Sequence, residues 1–280
     1  MNHRLNTVEA EADGLITGGG VADPGSLQLR NSADFAIASA AQMRLMSAAK
    51  RPRRGRRKET EDPYYGPGFH LEETLCGVLD PNVDALITRN HYGCLVLNAA
   101  HALFIDVDMF LPDDIYNPAE ERDKRMEPAR QRVLSDLRSV LENKDEYGFR
   151  IYRTAGGFRI LATTHEFEPE SDQADRLMKS VGADTNFVEL CRRQRNFRAR
   201  LTPKPWRCNL HRPPNFFPRK NARAEKRFQK WLMEYDRACE SRATCEYVGH
   251  VGRDFVHERI GRIIEFHDRA TNALSSLPLA

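Results

Sequence analysis

The chain has 280 residues, of which 40% are hydrophobic and 30% charged, with a formal net charge of +3. Such a chain can bury a substantial core, and it contains no apolar run of the roughly 20 residues that a membrane-spanning helix needs. We therefore expect no membrane partner. The N-terminus lacks the apolar core of a signal peptide, and the six cysteines are scattered, so we expect a cytoplasmic protein without a disulfide framework.

Residues 1–60 show little hydrophobic periodicity, and we predict a disordered, basic N-terminal arm with at most a short helix over 33–46. Within the arm, residues 50–58 carry seven positive charges in nine positions. A block of like charges repels itself and stays extended. Such an arm either contacts nucleic acid or solubilises the chain, and the sequence leaves both interpretations open.

From residue 61 onward the patterns predict an α+β fold. Predicted strands cover 94–97, 102–105, 149–152, 158–161 and 194–201, and predicted helices cover 128–144, 171–181 and 184–197, with a short one starting at Leu71. We expect the first two strands to be neighbours, and Gly156 and Gly157 to form a hairpin turn. Apolar stripes over 228–239 and 256–267 predict a helical C-terminal quarter. We therefore divide the chain into a core over 61–205 and a helical region over 206–280 packed on it.

Two carboxylates close the apolar run from Leu103 to Asp108. Because side chains alternate along a strand, Asp106 and Asp108 should lie on one face of it. Paired carboxylates repel each other unless solvent or a cation stabilises them, and their oxygens suit Mg²⁺ or Mn²⁺. The alternative is a strand that simply runs into an acidic loop.

Positive charge is concentrated between Arg192 and Lys230, where fourteen Lys and Arg face a single acid, Glu225. A cluster of this kind suits a polyanion, and phosphate is the commonest one. The alternative is a solvated surface that is partly neutralised by acidic segments such as 166–175. Trp206, within the cluster, could stack on a base, although a tryptophan beside prolines usually packs.

Four short motifs follow one another along the core: Phe-Ile-Asp-Val-Asp at 104–108, Gly-Phe-Arg at 157–159, Gly-Ala-Asp at 182–184 and Gln-Arg-Asn-Phe-Arg-Ala-Arg-Leu at 194–201. In this order they resemble the catalytic core of archaeo-eukaryotic primases and primase-polymerases. The resemblance implies a primase-polymerase-like (RRM-like) mixed or antiparallel sheet with packed helices. It also implies that Asp106, Asp108 and Asp184 hold Mg²⁺ or Mn²⁺ and catalyse nucleotidyl transfer. Nucleic acid and a nucleoside triphosphate would be the partners, with phosphates bound by Arg159, Arg195, Arg198, Arg200 and Lys204.

The chain departs from the family pattern at Arg159, where the family carries a histidine. An arginine can bind a triphosphate with two parallel hydrogen bonds, but it cannot act as a neutral imidazole. Alternation along the strand places Phe158 and Ile160 on one face of the sheet and Arg159 on the other, which we expect to be the open face. Asp184 also has a structural interpretation, as the N-cap of the helix that follows it.

Other groups of residues give weaker indications of function. Cys208, His211, Cys239 and Cys245 have zinc-ligand chemistry but fit no standard spacing, so we do not expect zinc. His267-Asp268 is typical of a helix face. No phosphate-binding G-x-x-x-x-G-K-[ST] loop and no G-x-S-x-G elbow is present. Two hypotheses remain: a primase-polymerase-like nucleotidyltransferase, or a non-catalytic nucleic-acid-binding protein that retains the primase-like fold.

Overall fold

A computed structural model describes residues 72–76, 84–109 and 119–280. The predicted basic arm over 1–60 and the short helix over 33–46 lie outside these ranges. Within them the protein is α+β, with two antiparallel four-stranded sheets. Five α-helices flank the sheets in the same ranges.

The first sheet has the strand order β1-β2-β3-β7. Its strands are β1 (Glu73–Cys76), β2 (Ala85–Arg89), β3 (Leu95–Ala99) and β7 (Phe197–Arg200). The predicted edge strand over 194–201 is confirmed, because β7 pairs with β3 and ends the sheet. The predicted helix from Leu71 is wrong, since β1 occupies that position and pairs with β2.

The second sheet has the order β4-β6-β5-β8. Its strands are β4 (Phe104–Asp108), β5 (Gly148–Thr154), β6 (Gly157–Ala162) and β8 (Cys245–Gly252). The predicted hairpin is confirmed as β5–β6. The expected pairing of 94–97 with 102–105 is wrong, because β3 and β4 belong to different sheets. Strand β8 interrupts the predicted helical quarter and pairs with β5.

The helices are α1 (Ala119–Glu142), α2 (Asp172–Ser180), α3 (Thr185–Gln194), α4 (Ala222–Glu240) and α5 (Glu258–Ala270), with a 3₁₀ turn over Pro205–Cys208. Helix α1 confirms the predicted amphipathic helix but begins nine residues earlier, so Pro128 lies inside it. Both predicted N-caps are confirmed: Ser171 accepts a hydrogen bond from the Ala174 amide, and Asp184 accepts one from the Asn186 amide. No helix among the described residues is long and apolar enough to cross a membrane.

Apolar residues of both sheets and of helices α1, α2, α3 and α5 form one continuous core. A smaller cluster beside it contains Phe228, Trp231, Tyr235 and Cys239 of α4, confirming the predicted stripe. Gly157 marks the closest approach of β6 to β4, because a Cβ atom there would lie 2.1 Å from the Val107 carbonyl oxygen. Only glycine permits this approach.

Candidate nucleic-acid interface

The two aspartates of β4 lie on one face of the second sheet, as alternation predicts. Asp106 faces Arg159 of β6 across the antiparallel ladder, and Asp108 faces Gly157. The Asp106 side chain is 30% exposed, and Asp108 is exposed at the strand end. The β4 strand therefore presents one carboxylate that is paired within the protein and one that faces outward.

Arg159 does not stand on an open side of the sheet. It is 1% exposed, because β7 and α5 cover that face of the sheet. Its guanidinium donates to Asp106 through Nε–Oδ1 (2.8 Å) and Nη2–Oδ2 (3.1 Å), and through Nη1 to the Arg200 carbonyl oxygen (2.9 Å). Burial opposes the charge, but Asp106 more than offsets it and raises the pKa of Arg159. Arg159 thus ties β4, β6 and the end of β7 together.

A buried polar network continues from Arg159 into helix α5. The His267 ring lies 3.4 Å from Arg159 Nη1, and its Nδ1 is 3.0 Å from the Asp268 carboxylate. The other Asp268 oxygen accepts from Arg150, which also donates to the Tyr152 hydroxyl. Burial, reinforced by Arg159, lowers the pKa of His267 even though Asp268 favours its charged form. His267-Asp268 is therefore a helix pair as predicted, but it faces the core rather than solvent.

The third predicted acid, Asp184, caps helix α3 through an Asn186 amide hydrogen bond of 3.0 Å. Its negative charge nevertheless affects the pKa of Asp108. Partial loss of solvation raises the pKa of the Asp108 carboxyl, and repulsion from Asp106 and Asp184 raises it further. The three acids are therefore coupled electrostatically, although they do not form a group that could hold a metal ion together.

The arrangement of these acids does not fit a shared Mg²⁺ or Mn²⁺ ion. Arg159 occupies both oxygens of Asp106, and one oxygen of Asp184 is used by its own helix. No three Asp, Glu, His or Cys side chains of the described ranges lie where they could hold a metal together. Of the three, Asp108 alone has no hydrogen bond from another described residue.

Beside Asp108 lies a cluster of cations that we call the cationic recess, formed by Arg200, Lys204 and Arg207. Lys204 is half-buried. Burial and the charges of Arg200 and Arg207 lower its pKa to about 8, against the opposing effect of Asp108. No acid of the described ranges forms an ion pair with Arg200 or Lys204, and Arg200 Nε is buried without a hydrogen-bond partner there. Arg200 and Lys204 therefore contribute positive charge that no ion pair among the described residues neutralises, with Asp108 as a nearby acid.

Buried side chains fix the backbone segment that precedes Lys204. The Tyr235 hydroxyl contacts Thr202 Oγ1 at 2.7 Å and donates to the Pro203 carbonyl at 2.6 Å. Cys94 Sγ lies 3.3 Å from the same carbonyl. Because Tyr235 and Cys94 are fully buried, the chain enters the 3₁₀ turn on a fixed base. Lys204 is the N-cap of that turn, and Arg207 lies within it.

The remaining predicted phosphate ligands lie elsewhere. Arg195 pairs with Glu170 at 3.0 Å, and Arg198, which is 5% exposed, pairs with Glu72 and Gln194. Part of the basic cluster is thus neutralised by acids, including one from the acidic segment 166–175. Arg207 was not among the predicted ligands, although it lies in the same basic run.

The candidate zinc ligands divide between two places. Cys208 and Cys239 are neighbours that share a thiol hydrogen bond, which lowers the pKa of Cys208. Cys245 lies in the second sheet, 3.9 Å from His267 Nε2. His211 is exposed and binds the Trp231 indole through its carbonyl oxygen. The four residues therefore do not form a set.

Comparison of the chain with protein-family models, curated proteins and solved structures found no match. We therefore infer function from the geometry of the cationic recess and its surroundings.

Proposed function

We propose that the protein binds nucleic acid, with backbone phosphates lying in the cationic recess. The observation that carries the proposal is Lys204, a half-buried ammonium held beside Arg200 and Arg207 without a paired acid among the described residues. Holding three cations together costs free energy because they repel one another, and their combined positive field attracts an anion. Phosphate is the anion whose shape suits a set of guanidinium and ammonium donors.

The surroundings of the recess support a chain-like ligand rather than a single small anion. Further exposed cations are Arg212, beside Trp206, and Lys226, Arg227 and Lys230 on helix α4. A polyanion gains from successive weak phosphate contacts, because each one releases condensed counterions. Asp108 at one end of the recess would repel phosphate and so limit the path of the ligand.

Nucleotidyl transfer is the second candidate. The electrostatic coupling of Asp108 to Asp106 and Asp184 favours it, since the primase-polymerase resemblance assigns the metal to these three acids. For a metal to bind there, Arg159 would have to release Asp106. We therefore propose binding in preference to catalysis.

Fluorescence anisotropy with a labelled single-stranded oligonucleotide tests the proposal. We expect the triple variant Arg200→Gln, Lys204→Gln, Arg207→Gln to bind at least tenfold more weakly, because it loses three phosphate contacts. A control of equal charge change, Arg132→Gln, Lys179→Gln, Arg262→Gln, alters exposed cations elsewhere. Equal affinity of the two triple variants would refute the assigned recess.

A primer-extension assay with Mg²⁺ and with Mn²⁺ separates the two candidates. If the protein is a binder, wild type and Asp108→Asn incorporate no nucleotide while both retain oligonucleotide binding. Incorporation by wild type that Asp108→Asn abolishes would establish the nucleotidyltransferase instead.

A further inference from the structure

An exposed tryptophan adjoins the cationic recess. Trp206 is 42% exposed, whereas Trp231, the other of the two tryptophans in the chain, is 8% exposed. A single exposed apolar side chain is common and needs no special explanation, so a functional role for this indole requires a second observation. The structure supplies one through the side chains around the ring.

Tyr92 supports the indole from one side. The two rings meet edge to face, with centroids 5.2 Å apart, and Tyr92 itself is 6% exposed. Edge-to-face contacts of this kind hold aromatic rings in a fixed relative orientation. Trp206 is therefore a partly exposed ring whose orientation is fixed on one side by Tyr92.

The hairpin turn between β2 and β3 fixes Tyr92 in turn. Asn90 Oδ1 accepts from the amides of Tyr92 (3.0 Å) and Cys94 (3.1 Å). Gly93 adopts φ +83°, and a Cβ atom there would lie 2.3 Å from the Trp231 ring. Local sequence and helix α4 thus both determine where Tyr92 lies.

Cations flank the same indole. Lys204 Nζ lies 5.4 Å from the centroid of the Trp206 ring, and the Arg212 guanidinium lies 5.4 Å from it and 5.1 Å from the Tyr92 ring. Both cations therefore lie within cation–π distance of the Trp206 ring, close enough to bind the phosphates of a nucleotide whose base contacts the indole. Lys204 belongs both to this group and to the cationic recess.

From this arrangement we propose that Trp206 is a stacking platform for an unpaired nucleobase, with the adjoining phosphates on Lys204 and Arg212. This inference rests on the proposed nucleic-acid binding and deepens it, because it specifies single-stranded nucleic acid. A base inside a duplex is already stacked on both sides, so only an unpaired base can lie on the indole. Stacking does not depend on base identity, and we expect little sequence preference.

Tryptophan fluorescence reports on the platform directly. In Trp231→Phe, Trp206 is the only tryptophan, and we expect oligothymidylate to quench its emission by at least half. In Trp206→Phe, the remaining buried Trp231 should show no quenching. Absence of quenching in Trp231→Phe, at concentrations where anisotropy shows the oligonucleotide to be bound, would overturn the platform and leave the proposed function intact.

Affinity provides a second readout that does not depend on the fold of Trp231→Phe. We expect Trp206→Ala to weaken oligothymidylate binding about tenfold and Trp206→Phe to retain most of it, since stacking on an aromatic ring is what is lost. An oligomer of abasic sugar-phosphate units, which has the charge but no bases, should bind wild type and Trp206→Ala equally. Equal loss for both ligands would contradict stacking, and no binding of either ligand to wild type would overturn the proposed function itself.

Discussion

The carboxylate of Asp106 and the guanidinium of Arg159 form a two-bond ion pair across facing positions of β4 and β6. Arg159 is 1% exposed, so its charge depends on this partner. The pair also fixes the end of β7, because Arg159 donates to the Arg200 carbonyl. A position that the primase resemblance assigns to phosphate binding is therefore a link between the two sheets.

Removing the acid of this pair should destabilise the protein strongly. We expect Asp106→Ala to lower the free energy of unfolding by roughly 2 to 4 kcal/mol, because it leaves a buried guanidinium without its carboxylate. Asp108→Ala is the matched control on the same strand face. It removes a repelled, exposed carboxylate and should change stability by less than about 0.5 kcal/mol. Urea denaturation measures both, and equal losses would contradict the role given to the pair.

Buried His267 should make the protein sensitive to acid. Its pKa is lowered in the folded state from the ordinary 6.5, so below that pH the unfolded chain binds a proton that the folded chain does not. Stability should therefore fall with pH below about 6.5, by at most roughly 1.4 kcal/mol per pH unit from this group. His267→Asn should reduce this slope, whereas His165→Gln, at an exposed position, should leave it unchanged. Thermal unfolding at several pH values gives both slopes, and parallel curves for wild type and His267→Asn would refute this role.

The glycines of the β5–β6 turn should differ in their tolerance of alanine. At Gly157 a Cβ atom would meet the Val107 carbonyl at 2.1 Å, whereas at Gly156 the nearest atom is Arg207 Nη2 at 3.4 Å. We expect Gly157→Ala to cost about 2 kcal/mol or more and Gly156→Ala less than about 1 kcal/mol. Denaturation midpoints of the two variants test this ordering, and a Gly156→Ala variant as unstable as Gly157→Ala would contradict it.

Oligonucleotide binding should weaken in mild alkali because of Lys204. The pKa of Lys204 is about 8 in the free protein, and phosphate binds the charged amine. Affinity should therefore fall as the pH rises from about 7 to about 9, as the fraction of charged Lys204 decreases. Lys204→Arg keeps the charge throughout this range and should bind with little pH dependence. If both proteins show the same pH profile, Lys204 is not a phosphate ligand.

Much of the fold could be predicted from local pattern. The amphipathic helix, the glycine hairpin and the caps at Ser171 and Asp184 each depend on residues a few positions apart. Strand pairing depends on contacts between distant residues, which is why β3 and β4 were paired incorrectly and β8 was not predicted. Arg159 shows the same limit: alternation gave its side of the sheet correctly, but α5, about a hundred residues later in the chain, covers that side.

The candidate site likewise contains some features that the sequence predicts and others that it does not. Arg200 and Lys204 follow from the basic run, which is visible in the sequence. The contact of Trp206 with Tyr92 could not be predicted, because it requires the β2–β3 turn to lie against the 3₁₀ turn, which is more than a hundred residues away. The pairing of Asp106 with Arg159 likewise joins residues 53 positions apart in the chain, and no local pattern encodes it.

The salt dependence of single-stranded oligonucleotide binding tests the recess most directly. Each phosphate contact on a single strand contributes about 0.7 to the slope of log affinity against log salt concentration. The slope for wild type should therefore exceed that of the Arg200→Gln, Lys204→Gln, Arg207→Gln variant by about 2. Identical slopes for the two proteins would show that no phosphate lies in the recess and would contradict the proposed function.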